Sequence, residues 1–336
     1  MTTRQIQFVA PGIAELNEIP MEAPAPGMVT VRLAVSSISS GTERANLTGD
    51  PNISYAKNGE VTFPRILGYS SAGEITALGE GVEGFSVGDR VGLSWSTHTH
   101  YQNIAAERLF RLDDGISYEE AALWHIATFP LAAIRKCRLE VGESAIVMGM
   151  GVLGLMAVKL LRIAGAVPVI AADPVPEKRK MALELGADHA LDPFEPGFAQ
   201  TVKQLTNGGA NAAVEVTGNG GALDGVLDCM ARFGRVALLG CTRNSDFTID
   251  YYRKIHGPGI TLIGAHTQAR PRYESHGGWW TEKDDIQAIR KLHAFGRLEL
   301  AGMVEETHSP LECGEVYARL AAEKSFPLVQ FDWRKL

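Results

Sequence analysis

The chain has 336 residues, enough for two domains and a substantial buried core without covalent staples. Apolar residues make up 45% and charged residues 21%, an ordinary globular composition that excludes a disordered chain. The formal net charge of −7 argues against a non-specific nucleic-acid binder, and no stretch approaches the roughly 18 uninterrupted apolar residues of a membrane span.

Four cysteines, Cys137, Cys229, Cys241 and Cys313, are scattered with no C-x-x-C pair, so reduced thiols are expected rather than a disulfide framework. The N-terminal MTTRQIQFVAPG has no apolar h-region and is not read as a signal peptide, which makes the cytoplasm the expected compartment.

In chain order, the first part reads as β-rich. Gln5–Val9, Val29–Val35, Glu74–Leu78 and Arg90–Leu93 are strand candidates separated by Gly- and Pro-containing turns. Glu119–Arg138 is rich in Ala and Leu and reads as helix. From Ser144 short apolar runs alternate with helical stretches. The strands are Ala145–Met148, Val167–Ala172, Ala212–Val216, Arg235–Leu239 and Thr261–Gly264; the helices are Leu153–Ile163, Glu177–Leu185, Phe198–Thr206 and Gly221–Ala231. That alternation predicts an α/β fold, a doubly wound parallel sheet with helices on both faces. A polar loop at Arg270–Gly278, helices at Glu282–Phe295 and Pro310–Glu323, and an apolar run at Pro327–Phe331 follow.

Gly149-Met150-Gly151-Val152-Leu153-Gly154 is a G-x-G-x-x-G loop set between a predicted strand and a predicted helix. In that context Gly149 permits the tight turn, Gly151 lets the backbone approach a pyrophosphate, and Gly154 lets the helix pack on the strand. The helix N-terminus then offers N–H groups and a positive dipole end to the anion. The second strand ends at Asp173, roughly 20 residues on, where an acid would bond the free ribose hydroxyls and repel a 2′-phosphate. NAD is therefore expected over NADP. Lys178, an expected cofactor contact, and Arg179 lie close enough to keep NADP open. Thr217, Gly240 and Cys241 follow later strands and are expected at the carboxyl edge of the sheet, on the cofactor.

Taken together, Ser40-Gly41-Thr42-Glu43, Phe63-Pro64-Arg65-Ile66-Leu67-Gly68, Gly73-Glu74, Val87-Gly88-Asp89-Arg90-Val91, the Gly149–Gly154 loop and Leu185-Gly186-Ala187-Asp188 resemble the medium-chain dehydrogenase/reductase superfamily, with its zinc alcohol and polyol dehydrogenases. The resemblance covers most of the chain. It implies a discontinuous GroES-like, β-rich catalytic domain at 1–130 and 270–336, a Rossmann domain at 131–269, and a homodimer or homotetramer.

The departures from that family are informative. Zinc members carry Cys where Ser40 stands and Gly-His-Glu where Gly68-Tyr69-Ser70 stands, and their third ligand, Cys or Glu, aligns with His125. The stretch from Arg90 to Arg111 contains none of the four cysteines of a structural zinc lobe; its His98 and His100 are expected to be surface loop residues. Ser40, Tyr69 and His125 do not make the three good ligands that Zn²⁺ needs, so no zinc is expected at either place.

Without zinc, another group must manage the substrate oxygen and its proton. His125 is the first candidate, since an unperturbed imidazole titrates near ~6.5. Tyr69 could donate a proton, Thr42 matches the family's relay hydroxyl, and Glu43 matches a supporting acid; each has a plain alternative as core filler or turn cap. His266, Arg270, Trp279 and Trp280 combine aromatic faces with polar donors, which suits a sugar ring and equally suits a loop anchored to the core. The reading is a zinc-independent NAD(H) oxidoreductase interconverting a secondary alcohol and a ketone on a small-molecule sugar, sugar derivative or polyol. A zinc-less quinone or enone reductase and a non-catalytic cofactor-binding relative are the alternatives.

Overall fold

The structure is a computed structural model in which residues 2–50 and 61–336 are described. The chain divides into two compact units, Met1–Ile126 with Glu299–Leu336, and Ala127–Leu298.

The first unit opens with an antiparallel pair, β1 (Thr2–Ala10) and β2 (Ile13–Pro20), followed by β3 (Met28–Ser37) and helix α1 (Ser40–Thr48). Then come β4 (Arg65–Ile66), β5 (Ser70–Leu78), β6 (Arg90–Ser94), β7 (Tyr101–Ala105) and β8 (Leu109–Arg111). Strand β5 begins four residues earlier than its pattern suggests. Ser70, Ser71 and Ala72 have little strand propensity, but pairing with β3 and β6 recruits them and buries them. Helix α2 (Tyr118–Lys136) carries the chain from the first unit into the second.

The second unit holds β9 (Ala145–Met148), α3 (Val152–Ala164), β10 (Val169–Ala172), α4 (Pro176–Glu184) and β11 (His189–Leu191). It continues with α5 (Phe198–Leu205), β12 (Ala210–Glu215), α6 (Gly220–Cys229), β13 (Met230–Leu238), β14 (Thr261–Gly264) and α7 (Glu282–Ala294). The six strands pair in parallel in the order β11-β10-β9-β12-β13-β14. The order reverses between β9 and β12, and a doubly wound sheet binds its ligand outside the carboxyl ends of the strands at that reversal. Strands β9 and β10 are buried at every position, as helices on both faces require.

The chain then returns to the first unit with β15 (Glu306–His308), α8 (Cys313–Ala322) and β16 (Val329–Asp332). The larger sheet of that unit runs β15-β16-β3-β5-β6-β8 with β7 also on β3, and its core packs Phe8, Leu33, Ile75, Leu93, Tyr317, Phe331 and Trp333. The boundary expected near 270 falls instead between 298 and 299. The reason is α7: its fully buried Asp285 binds Arg135 and Arg270, all within the second unit, so 270–298 packs there. Among the described residues, no helix is long and apolar enough to cross a membrane.

Candidate active site

The glycine loop leaves β9 as its spacing predicts. Gly149 adopts φ +97°, a conformation that strains other residues, and a side chain there would press on the Thr217 methyl. A Cβ on Gly154 would overlap the Gly149 carbonyl, so this position sets how closely α3 approaches β9. Gly151 is the N-cap of α3, with no side-chain cap and open space where its own side chain would be. Bare N–H groups therefore face an open surface, the arrangement that receives a pyrophosphate. Val152 and Met150 are buried and serve packing, and Leu153 is half-buried.

Asp173, one residue past β10, is tied into the same loop. One carboxylate oxygen accepts the Met150 N–H at 2.7 Å and the other the Val175 N–H at 2.8 Å. Arg179 does not reach outward for a phosphate: its Nη1 donates to the carbonyls of Asp173 and Pro174 at 2.8 and 2.9 Å and to Asp192 at 3.2 Å. Lys178 is buried on α4. At the exit of β12, the buried Glu215 carboxylate accepts the N–H groups of Thr217 (2.7 Å) and Gly218 and the Thr217 hydroxyl. Burial raises the Glu215 pKa against the lowering by those bonds. Gly218 and Gly240 interlock, since a side chain on either would strike the other's loop, and this brings Thr217, Gly240 and the exposed Cys241 together. These residues fit a dinucleotide: an anion cradle, a fixed ribose acceptor, and small residues along the carboxyl edge of the sheet.

In the first unit, Tyr69 and His125 come together with a residue that the sequence reading passed over. The His125 ring is fully buried and meets Tyr69 edge-on at 5.8 Å between centroids and Trp95 at 4.9 Å. Trp95 holds φ +59°, uncommon for a bulky side chain and a sign of local constraint. The Tyr69 hydroxyl donates to Ser39 Oγ. Ser39 caps α1, and its N–H donates to Glu43 Oε1 at 2.8 Å. The other Glu43 oxygen accepts from Tyr317 Oη at 2.5 Å and lies 3.1 Å from His98 Nε2. His98 Nδ1 is 2.7 Å from Ser36 Oγ, which also accepts Trp333 Nε1 at 2.8 Å. His98 is thus 1% exposed and central to a buried network, a correction to its assignment as a surface residue. Thr42 is half-buried on α1, where its carbonyl accepts from Asn46 at 2.8 Å.

Residues 25–121 match the alcohol dehydrogenase GroES-like domain family and residues 152–277 the zinc-binding dehydrogenase family. The L-threonine 3-dehydrogenase of Pyrococcus horikoshii is 30% identical over 320 residues, 85% of this chain and 86% of its own. The chain belongs to the medium-chain, zinc-type alcohol dehydrogenase superfamily. It is an oxidoreductase of the dehydrogenase kind. The D-guloside 3-dehydrogenase of Escherichia coli K12 is 28% identical, covering 90% of this chain and 91% of its own. A zinc-binding dehydrogenase from Sinorhizobium meliloti 1021, solved bound to NADP, shares the fold over 99% of both chains with a TM-score of 0.82 at 19% identity.

Zinc is the usual metal of this superfamily, and the donors here do not suit it. Ser40 opens α1, the Tyr69 hydroxyl donates its proton to Ser39, and the remaining group is an imidazole that meets two aromatic rings edge-on. Neutral hydroxyls and one imidazole do not supply the thiolate, imidazole and carboxylate set that binds the ion. Among the described residues, no cluster of three His, Cys, Asp or Glu side chains could hold a metal.

The dehydrogenase's aromatic loop is arranged differently from an open sugar platform. The Arg135 guanidinium lies 3.6 Å from the Trp280 ring centroid and the Lys136 ammonium 4.7 Å from that of Trp279. Arg270 donates to Thr267 O at 2.9 Å and pairs with Asp285 at 3.5 Å. Cations of the protein itself therefore occupy these rings, and the loop is anchored. His266 is half-buried, and its pKa is lowered by burial and then by the charges of Lys136 and Arg243.

Proposed function

We propose that this protein is a zinc-independent, NAD(H)-dependent dehydrogenase that interconverts a secondary alcohol and a ketone on a sugar, sugar derivative or polyol, as a cytoplasmic homodimer or homotetramer. The observation that carries the reading is that the positions implied for metal ligands hold Ser40, Tyr69 and His125, with the Tyr69 hydroxyl bonded to Ser39 and its ring beside that of His125. NAD supplies the hydride acceptor when bound. Asp173 supports NAD over NADP, because a carboxylate already fixed by two N–H groups presents its remaining lone pairs to free ribose hydroxyls and repels a 2′-phosphate. Arg179, which reaches the Asp173 backbone, is committed to the carbonyls of Asp173 and Pro174 and to Asp192.

Removing a hydride from a secondary alcohol requires its hydroxyl proton to leave. In this reading Tyr69 and His125 handle that proton: the neutral imidazole of His125 takes it, while the Tyr69 hydroxyl, held by Ser39, orients the substrate. The guloside dehydrogenase among the relatives supports a sugar-like substrate class.

The test is a spectrophotometric panel offering NAD⁺ and NADP⁺ with sugars, glycosides, inositols and simple alcohols, and NADH and NADPH with ketones, quinones and enones. NAD⁺ reduction by a polyol or sugar is the expected result, with Tyr69→Phe or His125→Ala lowering kcat by about 10²–10⁴-fold. NADPH oxidation by an enone would sink the proposal. Undiminished turnover in both variants would remove the proton carriers while leaving hydride transfer in place.

A further inference from the structure

The first unit contains a cavity of about 520 Å³, within the roughly 300–1,000 Å³ of small-molecule sites. Trp95, Thr97, Thr99, Tyr101 and Gln102 form much of its wall. A directed chain of hydrogen bonds ends there. Asn17 Nδ2 donates to Gln7 Oε1 at 3.2 Å, Gln7 Nε2 to Gln5 Oε1 at 3.0 Å, and Gln5 Nε2 to Thr99 Oγ1 at 2.9 Å. The Thr99 and Thr97 hydroxyls are 2.7 Å apart. Thr97 donates to Gln102 Oε1 twice, from its hydroxyl and from its backbone N–H, both at 2.9 Å.

The direction follows from proton counting. A hydroxyl has one proton. Thr97 gives its proton to Gln102, so Thr99 donates to Thr97, having itself accepted from Gln5. The backbone N–H of Thr97 fixes which end of the Gln102 amide is oxygen, and the NH₂ is therefore at the other end. That nitrogen is buried and has no acceptor among the described residues, and Gln102 as a whole is 9% exposed. A row of donors all pointing one way thus finishes in a donor with nothing to donate to. Buried polar groups are paired in almost every folded protein, so such an exception requires a reason.

We propose that this cavity is a binding subsite for an uncharged, hydroxyl-rich ligand, a saccharide ring, whose oxygen accepts from Gln102 Nε2 and whose apolar face rests on Trp95. The donor calls for a hydroxyl or ring-ether oxygen. The wall hydroxyls of Thr99 and Tyr101 complement a rim of ligand hydroxyls, and the lining carries one acidic and one basic side chain, the exposed Glu22 and Arg108, so it has no net charge to select an ion. An indole suits the apolar face of a pyranose. Trp95 also meets His125 at 4.9 Å and Tyr69 at 6.2 Å, so a sugar unit here adjoins the proposed proton carriers. The inference deepens the proposed function and rests on it for that last link.

The experiment is calorimetric titration of the purified, cofactor-free protein with methyl β-D-glucopyranoside, methyl β-D-galactopyranoside, cellobiose and maltose. Wild-type protein is compared with Gln102→Glu, which keeps the acceptor for Thr97 and removes the donor, and with Gln102→Leu, which removes both; thermal unfolding checks that each variant folds. The expected result is saturable binding of at least one saccharide, weakened at least tenfold in both variants, with NADH affinity unchanged. No saccharide binding to wild type, or binding that neither substitution alters, overturns the subsite. Gln102-dependent binding without turnover of the saccharide keeps the subsite and sinks the sugar dehydrogenase, whereas NAD⁺ reduction by a sugar whose binding ignores Gln102 does the reverse.

Discussion

Lys136 shows how much one side chain's environment decides. Its ammonium donates to the Gly264 carbonyl at 3.2 Å and lies against Trp279. Burial, then the like charge of Arg270, lowers its pKa to about 8. Below that pH both folded and unfolded chains carry the charge, so its cost is constant. Between about 8 and the unfolded value near ~10.4 the unfolded chain binds a proton that the folded chain does not, and stability therefore rises with pH across that window. Relative to Lys136→Met, wild-type protein is expected to gain about 1–2 kcal/mol as pH rises through that window, less than the full shift implies because solvent screens a partly exposed ammonium. Chemical denaturation of both proteins at several pH values measures this, and a pH-independent difference would show that Lys136 keeps its proton throughout. His98 teaches a related lesson. It stands 55 residues from Glu43, and nothing local in the sequence shows that a carboxylate awaits it. In the structure Ser94, Ser96 and His98 are buried at alternate positions, with the less buried Trp95 and Thr97 between them, a pattern that small polar residues do not announce in the sequence.

Among the elements, α3 and its loop are the most constrained. Gly154 sits one turn into α3, where the Gly149 carbonyl leaves no room for a methyl group. Gly154→Val is expected to push the helix off β9 and cost about 1–3 kcal/mol by overpacking. NADH affinity, followed by fluorescence, should fall at least tenfold as the anion cradle loses its shape. Unaltered affinity would show that the N–H groups of α3 do not hold the cofactor. The spacing of the loop made this element readable, since the glycine roles are local. The segment before α7 was readable only in composition. Trp279 and Trp280 could equally have stacked on a sugar or on a cation, and the choice belongs to Arg135 and Lys136, more than a hundred residues earlier in the chain. Helix α1 was hidden for another reason: Ser40–Thr48 is polar and short, and it is held by burial of Glu43, Ala45, Asn46 and Leu47 rather than by propensity.

At the level of the whole molecule, the proposal of zinc independence makes a direct prediction. Metal analysis of the purified dehydrogenase is expected to find well below one zinc per chain, and a chelator such as 1,10-phenanthroline should leave turnover intact; stoichiometric zinc lost together with activity would refute it. The alternation of buried strands and helices, the glycine loop and Asp173 were legible in the amino-acid sequence by itself, because each depends on neighbours within a few tens of residues. So were Ser40, Tyr69 and His125 at the positions where the resemblance implies metal ligands, which is a matter of residue identity. Tertiary structure alone decided that 270–298 joins the second unit, that His98 is buried on Glu43, that Trp95 flanks His125, and that Gln102 ends a row of donors. Each of these depends on groups brought together from distant parts of the chain, and a hydrogen bond or an ion pair is set by distance and direction in space, which separation along the chain does not encode.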